Sequence, residues 1–286
     1  MSGVSHTLDG MTTTEHAEPR RVALSPSRAA DFKTCPLLYR LRAIDRLPEL
    51  PTPEMARGTL VHSVLEHLFD LPPAERTPER AAEMVAPEWS RMSGEAPDLA
   101  ALFDGGEAPA EWLASAEELL GGYFTLEDPT RLEPAERESM IEAELPSGLL
   151  LRGFIDRLDA SPAGDLRVVD YKTGSAPREA FEAKALFQLK FYALMLLRTR
   201  GVVPRALRLL YLRDRAVCDY TPDGAEELER FERNLEALWR AITTATENRD
   251  FRPQPSKLCG WCRHQAHCPE FGGTPPPWPE QPGPTP

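Results

Sequence analysis

Two carboxylates and a lysine stand close together near the middle of the chain, and these residue types can perform hydrolysis. Asp156 follows Gly-Phe-Ile, and after a turn Asp170 and Lys172 flank Tyr171 in the run Val-Val-Asp-Tyr-Lys. Residues two apart on a strand share a face, so Asp170 and Lys172 project together while Tyr171 projects to the other side. If the strand that carries Asp156 pairs back through the turn at 159–165, all three charged groups meet at one place.

The chemistry that this set favours is activation of water at a metal ion. Carboxylate oxygens are hard ligands for Mg2+ or Mn2+, and such an ion activates water and offsets charge that develops on a phosphate. Lys172 could then orient or deprotonate the water, or stabilise the transition state. An Asp-x-Lys pair alone is also typical of a solvated strand face. Here Val168 and Val169 precede it as in a buried strand. Ionised groups in such a strand are unfavourable unless they are paired or bind a metal.

Four of the five cysteines form a second set with ligand-like spacing. Three lie close together near the C-terminus and one lies far upstream: Cys259, Cys262, Cys268 and Cys35. Proline follows Cys35 and Cys268, as in runs that bind iron-sulfur clusters. Soft ligands so close together indicate a metal or cluster site rather than disulfides. The fifth, Cys218, lies on a predicted strand, which favours a buried apolar role.

A zinc site is the alternative for the C-terminal cysteines. It would combine these three with either His264 or His267. Its spacing is irregular and it leaves Cys35 unexplained, so ligand type and spacing favour a cluster over zinc.

Hydrophobic periodicity predicts an α/β fold built on one sheet. The strand candidates are 139–145, 149–158, 166–171, 206–212 and 216–220. We expect the first three to form an antiparallel meander. Helices are predicted from Gly58 onward, at 178–199 and at 226–246, with a helical insertion over 71–136. This order fits one mixed sheet covered by helices better than two independent domains.

The net charge of −12 argues against a nucleic-acid binder, because phosphate binding normally requires a basic surface. The charge is uneven, however: residues 71–136 carry 15 acidic and 4 basic side chains, whereas residues 137–215 carry 14 basic and 10 acidic ones. We therefore expect the acidic insertion to lie away from any substrate groove. The sequence shows neither a secretory signal nor an apolar run that could cross a bilayer, which predicts a cytoplasmic protein without membrane contact.

The motif around the two aspartates resembles the PD-(D/E)xK nuclease superfamily, in particular its RecB-like exonuclease branch. In that branch Gly-x-x-Asp precedes an Asp-x-Lys strand, as Gly153 and Asp156 precede Asp170 and Lys172 here. The literal Pro-Asp pair is absent because Ile155 precedes Asp156, a departure that is usual in the branch.

Two further motifs strengthen the resemblance. His62 ends the run Gly-Thr-Leu-Val-His, which is similar to the helix that supplies the branch's metal-binding histidine. Gln188 and Tyr192 match its Gln-x-x-x-Tyr motif, and their spacing places them on one helix face.

The resemblance implies a restriction-endonuclease-like fold and a role for each motif residue. The implied metal ligands are His62, Asp156, Asp170 and the backbone carbonyl of Tyr171. Lys172 would complete the catalytic site, while Gln188 and Tyr192 would organise it and touch the nucleic acid. Glu142 and Glu144 are either outer groups of this site or parts of a solvated strand face.

The implied activity is that of a metal-dependent DNA exonuclease that hydrolyses phosphodiester bonds at single-stranded ends in DNA repair or recombination. The wide cysteine spacing is similar to that of AddB-type and CRISPR-associated members, which implies a 4Fe-4S cluster that joins the N- and C-terminal segments. Two alternatives stay open: a non-catalytic DNA-binding scaffold, and a nuclease subunit active only in a CRISPR-adaptation or helicase complex.

The domain organisation that follows is one nuclease domain over 22–271. It would contain the acidic insertion at 71–136 and a cluster-binding segment at 259–269. Tails at 1–21 and 272–286 are expected to lack fixed structure, because they are polar or rich in proline and glycine.

Overall fold

The fold is organised around a mixed β-sheet, seen in a computed structural model that describes residues 23–103, 108–176 and 182–280. The strands within these ranges are β1 (Ala23–Leu24), β2 (Glu136–Glu144), β3 (Leu150–Ala160), β4 (Leu166–Lys172), β5 (Ala206–Tyr211) and β6 (Ala216–Tyr220). β2, β3 and β4 form an antiparallel meander, β5 runs parallel to β4, and β6 returns antiparallel to β5. β1 adds to the start of β3 in parallel. The predicted strands and their meander are therefore confirmed.

Helices cover both faces of this sheet. The longer ones are α1 (Pro26–Thr34), α3 (Pro53–Leu68), α4 (Pro78–Glu95), α6 (Ala110–Leu126), α7 (Glu182–Arg200) and α8 (Ala225–Glu247). Shorter segments are α2 (Pro36–Tyr39), the π-helix Arg40–Ile44, α5 (Pro97–Ala100) and several 3-10 turns. The predicted α/β class, with one sheet flanked by helices, is confirmed.

Successive side chains of β4 and β5 point to opposite faces of the sheet and pack into two separate core layers. Val169 and Tyr171 pack with Leu210 into a cluster formed with α3, α4 and α6. Val168 and Leu209 face the opposite way, into a cluster formed with α7 and α8. Because successive strand residues point to opposite faces, β4 can bury a core on both sides and still present a few polar groups at its end.

The predicted insertion at 71–136 contains α4, α5 and α6, and is thus helical. α4 and α6 pack with α3 on the Tyr171 side of the sheet. Among the described residues, no helix is long and apolar enough to span a membrane.

Some expectations fall partly outside the described residues. The tail at 1–21, the start of the helix expected from 178, and residues 281–286 all do so.

Within 272–280, Trp278 stacks on Phe251, and Arg40 donates a hydrogen bond to the carbonyl of Pro276 at 2.5 Å.

A buried arginine ties the meander to α6. Arg157 on β3 is fully buried and forms ion pairs with Glu127 at 2.7 Å and with Asp159 at 3.0 Å. Its Nη1 also donates a hydrogen bond to the hydroxyl of Tyr171 at 2.9 Å. Glu127 is itself almost wholly buried, so each charge depends on the other for compensation.

We predict that Arg157→Ala lowers the free energy of unfolding by about 3–5 kcal/mol, because it leaves a buried carboxylate without its partner. The matched control is Arg152→Ala on the same strand, where an exposed pair with Glu142 should contribute at most about 1 kcal/mol. Urea unfolding followed by circular dichroism measures both. Equal losses in the two variants would show that the buried network is not the stabilising one.

Candidate active site

The candidate residues converge on one pocket from two strands and two helices. β3 supplies Asp156, the end of β4 supplies Asp170 and Lys172, α3 supplies His62, and α7 supplies Gln188 and Tyr192. All six side chains line a pocket of about 670 Å³, here named the carboxylate pocket. The side chain of Tyr171 lies on the opposite face of the sheet, as alternation predicts, so only its backbone can reach this site.

Gln188 bridges the two charged residues at the end of β4. Its amide nitrogen donates to Oδ1 of Asp170 at 2.8 Å, and its amide oxygen accepts from Nζ of Lys172 at 3.0 Å. Lys172 and Asp170 also form a direct ion pair. The same amide nitrogen lies 3.3 Å from the hydroxyl of Tyr192, one helical turn further along α7. The glutamine thereby fixes both the carboxylate and the ammonium group.

Gly153 makes room for Tyr192 beneath this network. A Cβ atom at position 153 would lie 2.8 Å from the tyrosine ring, which is closer than real side chains approach. The glycine of the Gly-x-x-Asp motif therefore has a packing role, since it lets α7 approach β3.

His62 closes the pocket from α3. Its Nε2 donates a hydrogen bond to the backbone carbonyl of Tyr171 at 2.9 Å, and its Nδ1 lies 3.4 Å from Oδ2 of Asp156. That same carboxylate oxygen accepts a hydrogen bond from the backbone N–H of Tyr171 at 2.7 Å. Three of the four groups expected as metal ligands therefore touch one another, and Asp170 directly precedes Tyr171 in the strand.

Glu138 is a further carboxylate at this site, and the sequence analysis did not select it. Its Oε1 lies 3.6 Å from Nδ1 of His62. Ligand atoms of His62, Glu138 and Asp156 all lie within 4.8 Å of one another, close enough for one metal ion. The strand was expected to begin at residue 139, one position too late to include this glutamate.

The strand pair is irregular at this point. Glu138 has a φ of +41°, a left-handed conformation that is strained for a residue with a side chain. It lies between the register pairs Arg137↔Arg157 and Ser139↔Ile155, opposite Asp156. Backbone strain of this kind is often retained at functional sites.

The two glutamates of β2 that the sequence analysis considered, Glu142 and Glu144, lie further from the pocket. Glu142 forms an exposed ion pair with Arg152, and Glu144 stands opposite Leu150 at the far end of the strand. Neither lines the carboxylate pocket as the structure describes it.

The electrostatics of the site favour a cation. Burial raises the pKa of Asp156, and the charge of Asp170 raises it further. Burial lowers the pKa of His62, but the nearby carboxylates of Glu138, Asp156 and Asp170 outweigh it and raise that pKa to about 9. A divalent cation in place of the imidazolium proton would offset the same concentration of negative charge. Hard oxygen donors beside one imidazole fit Mg2+ or Mn2+.

The four cysteines with ligand-like spacing also meet in space. Cys35 lies between α1 and α2, and the other three lie in the C-terminal 3-10 turns. All four line one pocket of about 380 Å³, here named the cysteine pocket. Backbone N–H groups donate to two of the sulfurs, from Gln254 to Cys35 at 3.4 Å and from Ser256 to Cys259 at 3.3 Å. Cys218 instead packs on the α7 side of the core.

Among the described residues, the acidic insertion does not line the carboxylate pocket. The residues that line it belong to 23–62 and 152–192, outside 71–136. α4 nevertheless approaches the site, since Ser63 of α3 donates a hydrogen bond to Glu88. The separation of the insertion from the substrate groove stays a prediction.

Comparison with known proteins identifies the family. The sequence profile of the PD-(D/E)XK nuclease superfamily matches residues 23–269. The Gene 69 protein of Mycobacterium phage L5 is 26% identical over 300 residues, covering 91% of this chain and all of its own. The Gene 69 protein of Mycobacterium phage D29 is 29% identical over 208 residues, covering 62% of this chain and 70% of its own.

One solved structure, the crystal structure of SSO0001, covers 65% of this chain and 82% of its own, at 18% identity and a TM-score of 0.34. The assignment rests on the profile, which spans the elements that build both pockets. The chain therefore belongs to the PD-(D/E)XK nuclease superfamily.

Proposed function

We propose that this nuclease is a metal-dependent exonuclease of the RecB-like branch. It hydrolyses phosphodiester bonds of DNA at single-stranded ends, in repair or recombination. The observation that carries the proposal is the convergence of Asp156, Asp170 and Lys172 in one pocket with His62 of α3 and Gln188 of α7. A non-catalytic scaffold would have no need to keep the acids, the lysine and the glutamine in mutual contact.

The metal ligands in this proposal are His62, Asp156, Asp170 and the backbone carbonyl of Tyr171, with Glu138 as an added carboxylate. Members of the superfamily use divalent ions such as Mg2+ or Mn2+, and such an ion, when bound, activates water and offsets charge on the phosphate. The contacts of His62 with Tyr171 and Asp156 support this set, because they bring imidazole, carbonyl and carboxylate together.

Lys172 acts on the reacting phosphate or the attacking water rather than on the metal, and Gln188 positions it. The ammonium group of Lys172 is held between Asp170 and Gln188 at the edge of the pocket. From there it can donate to a phosphate oxygen or orient the attacking water. Gln188 keeps it in place, and Tyr192 supports Gln188 from the next turn of α7.

The cofactor that we propose for the cysteine pocket is a 4Fe-4S cluster bound by Cys35, Cys259, Cys262 and Cys268. All four cysteines line the cysteine pocket, which supports a single centre that they share. Soft thiolate ligands and the inclusion of Cys35, which a local zinc site would leave out, favour the cluster.

One of the two histidines that a zinc site would use already has a partner. Nε2 of His264 donates a hydrogen bond to Oε1 of Glu49 at 2.6 Å. The cluster would join the N-terminal and C-terminal segments of a single nuclease domain over 22–271, with 71–136 as its insertion. Closing so long a loop restricts the unfolded chain and stabilises the fold.

We predict that Lys172→Ala lowers the rate of cleavage of end-labelled single-stranded DNA by about 10²- to 10⁴-fold. The matched control is Lys190→Ala, which removes a lysine that pairs with Glu227 on the other side of α7 and should leave the rate unchanged. Cleavage by the wild type should require Mg2+ or Mn2+ and stop with EDTA. Equal rates in Lys172→Ala and the wild type would reject the assigned site.

The exonuclease assignment predicts a dependence on DNA ends. Linear single-stranded DNA should be degraded, whereas a covalently closed single-stranded circle of the same sequence should stay intact under the same conditions. Gel analysis of both substrates in one reaction is the measurement. Cutting of the circle would make the protein an endonuclease. Cleavage that occurs only after a helicase or CRISPR-adaptation partner is added would instead favour the subunit role.

The cluster assignment predicts that protein purified without oxygen contains iron and acid-labile sulfide and is brown. Cys35→Ala should lose most of the iron and lower the melting temperature, because the N-terminal segment loses its attachment. Cys218→Ala is the matched control, since it removes a cysteine outside the cysteine pocket and should keep the iron. A colourless wild type with stoichiometric zinc would replace the cluster by a zinc site.

A further inference from the structure

An exposed aromatic ring stands beside the candidate metal site. Phe154 is 53% exposed, although its neighbours Gly153 and Ile155 on β3 are buried. It lies two residues before Asp156, and across the strand pair it is in register with Met140, which is 57% exposed. Exposed strand positions normally carry polar side chains, so an exposed apolar pair next to a charged site indicates a binding role.

Phe154 separates two pockets that share His62. On one side it lines the carboxylate pocket. On the other it lines a pocket of about 460 Å³ that contains Gly58, Thr59, Ser63, Glu66 and Glu138 as well as His62. A nucleic-acid chain that crosses the candidate metal site from one pocket to the other must therefore pass this ring.

The walls of the carboxylate pocket carry charges suited to a phosphate chain. Arg28 at the start of α1, Arg152 on β3 and Lys172 on β4 all line it. Arg152 lies two residues from Phe154 on the same strand, so a basic group and an aromatic ring are offered side by side. Grooves that bind single-stranded nucleic acid combine these two features, because the cations hold phosphates and the rings stack on bases.

We infer that Phe154, supported by Met140, is a stacking platform for the nucleobase next to the scissile phosphate. The inference rests on the proposed nuclease function and specifies its substrate class. A base within a duplex has both faces covered by its neighbours, so this ring can stack only on an unpaired or terminal base. Phe154 thus selects single-stranded DNA, because stacking places the adjacent phosphate at the metal ligands.

The binding arm of the test uses fluorescence anisotropy in EDTA, where no cleavage occurs. Phe154→Ala should weaken binding of a single-stranded oligonucleotide by about 5- to 150-fold, the range expected for loss of one stacked base. Phe154→Trp should restore binding. The control is Val217→Ala, an exposed apolar residue on β6, which should bind as the wild type does.

The cleavage arm uses oligonucleotides with a single abasic site, resolved at the level of each phosphodiester bond. For the wild-type protein, the cleavage rate should fall by a similar factor at one bond next to the missing base. The Phe154→Ala variant should cleave intact DNA more slowly than the wild type, and the abasic site should cause no further decrease in its rate. A merely structural role of the ring would not make the variant insensitive to the missing base.

The two arms separate the platform from the proposed function. Cleavage that is equal in Phe154→Ala and the wild type, on intact and abasic DNA alike, would overturn the platform and leave the nuclease assignment standing. Binding that depends on Phe154 without any cleavage would keep the platform and overturn the proposed activity. If the wild type neither binds nor cuts single-stranded DNA, both fail.

Discussion

The crowding of negative charge between β3 and β4 is the constraint on which the site depends. Asp156 and Asp170 are nearly buried, and burial together with the charge of Asp170 makes ionisation of Asp156 less favourable. The surrounding polar groups reduce this repulsion: the backbone N–H of Tyr171 donates to Asp156, and Gln188 and Lys172 contact Asp170. The helices that cover the sheet are therefore needed for more than core packing, because α3 and α7 each bring a group that the carboxylates require. A divalent cation bound among these groups would offset the same repulsion.

Tyr171 connects this site to the opposite core. Its backbone contacts Asp156 and His62, while its ring is buried under α6 and its hydroxyl accepts a hydrogen bond from Arg157. The position of its carbonyl thus depends on packing at the far face of the sheet. The acidic insertion has a structural part in this arrangement, since Glu127 at the end of α6 pairs with Arg157. The acidic insertion therefore helps to position β4, the strand that carries Asp170 and Lys172.

Strand alternation alone predicted that Asp170 and Lys172 share a face. His62, Gln188 and Tyr192 were predicted only from the resemblance to family motifs, because a histidine on an amphipathic helix or a Gln and Tyr one turn apart is equally typical of helix packing. Glu138 could not be found in this way, because it requires the register of β2 against β3 and a positive φ that no propensity favours. The exposure of Phe154 was also hidden, since Gly-Phe-Ile has the composition of a buried strand. Arg157 has the charge of a surface residue, and its partner Glu127 lies thirty positions away.

The N-terminal segment reaches its place only through residues that are made much later. β1 pairs with Leu150 and Leu151 of β3, and Cys35 lies with cysteines near the other end of the chain. During synthesis the N-terminal part emerges first, so Ser27 and Arg28, which form one wall of the carboxylate pocket, must wait for the rest of the protein. A nascent chain that ends before α7 would carry Asp156, Asp170 and Lys172 but would lack Gln188 and Tyr192. The N-terminal wall therefore becomes part of the pocket only after β3, β4 and α7 have been made.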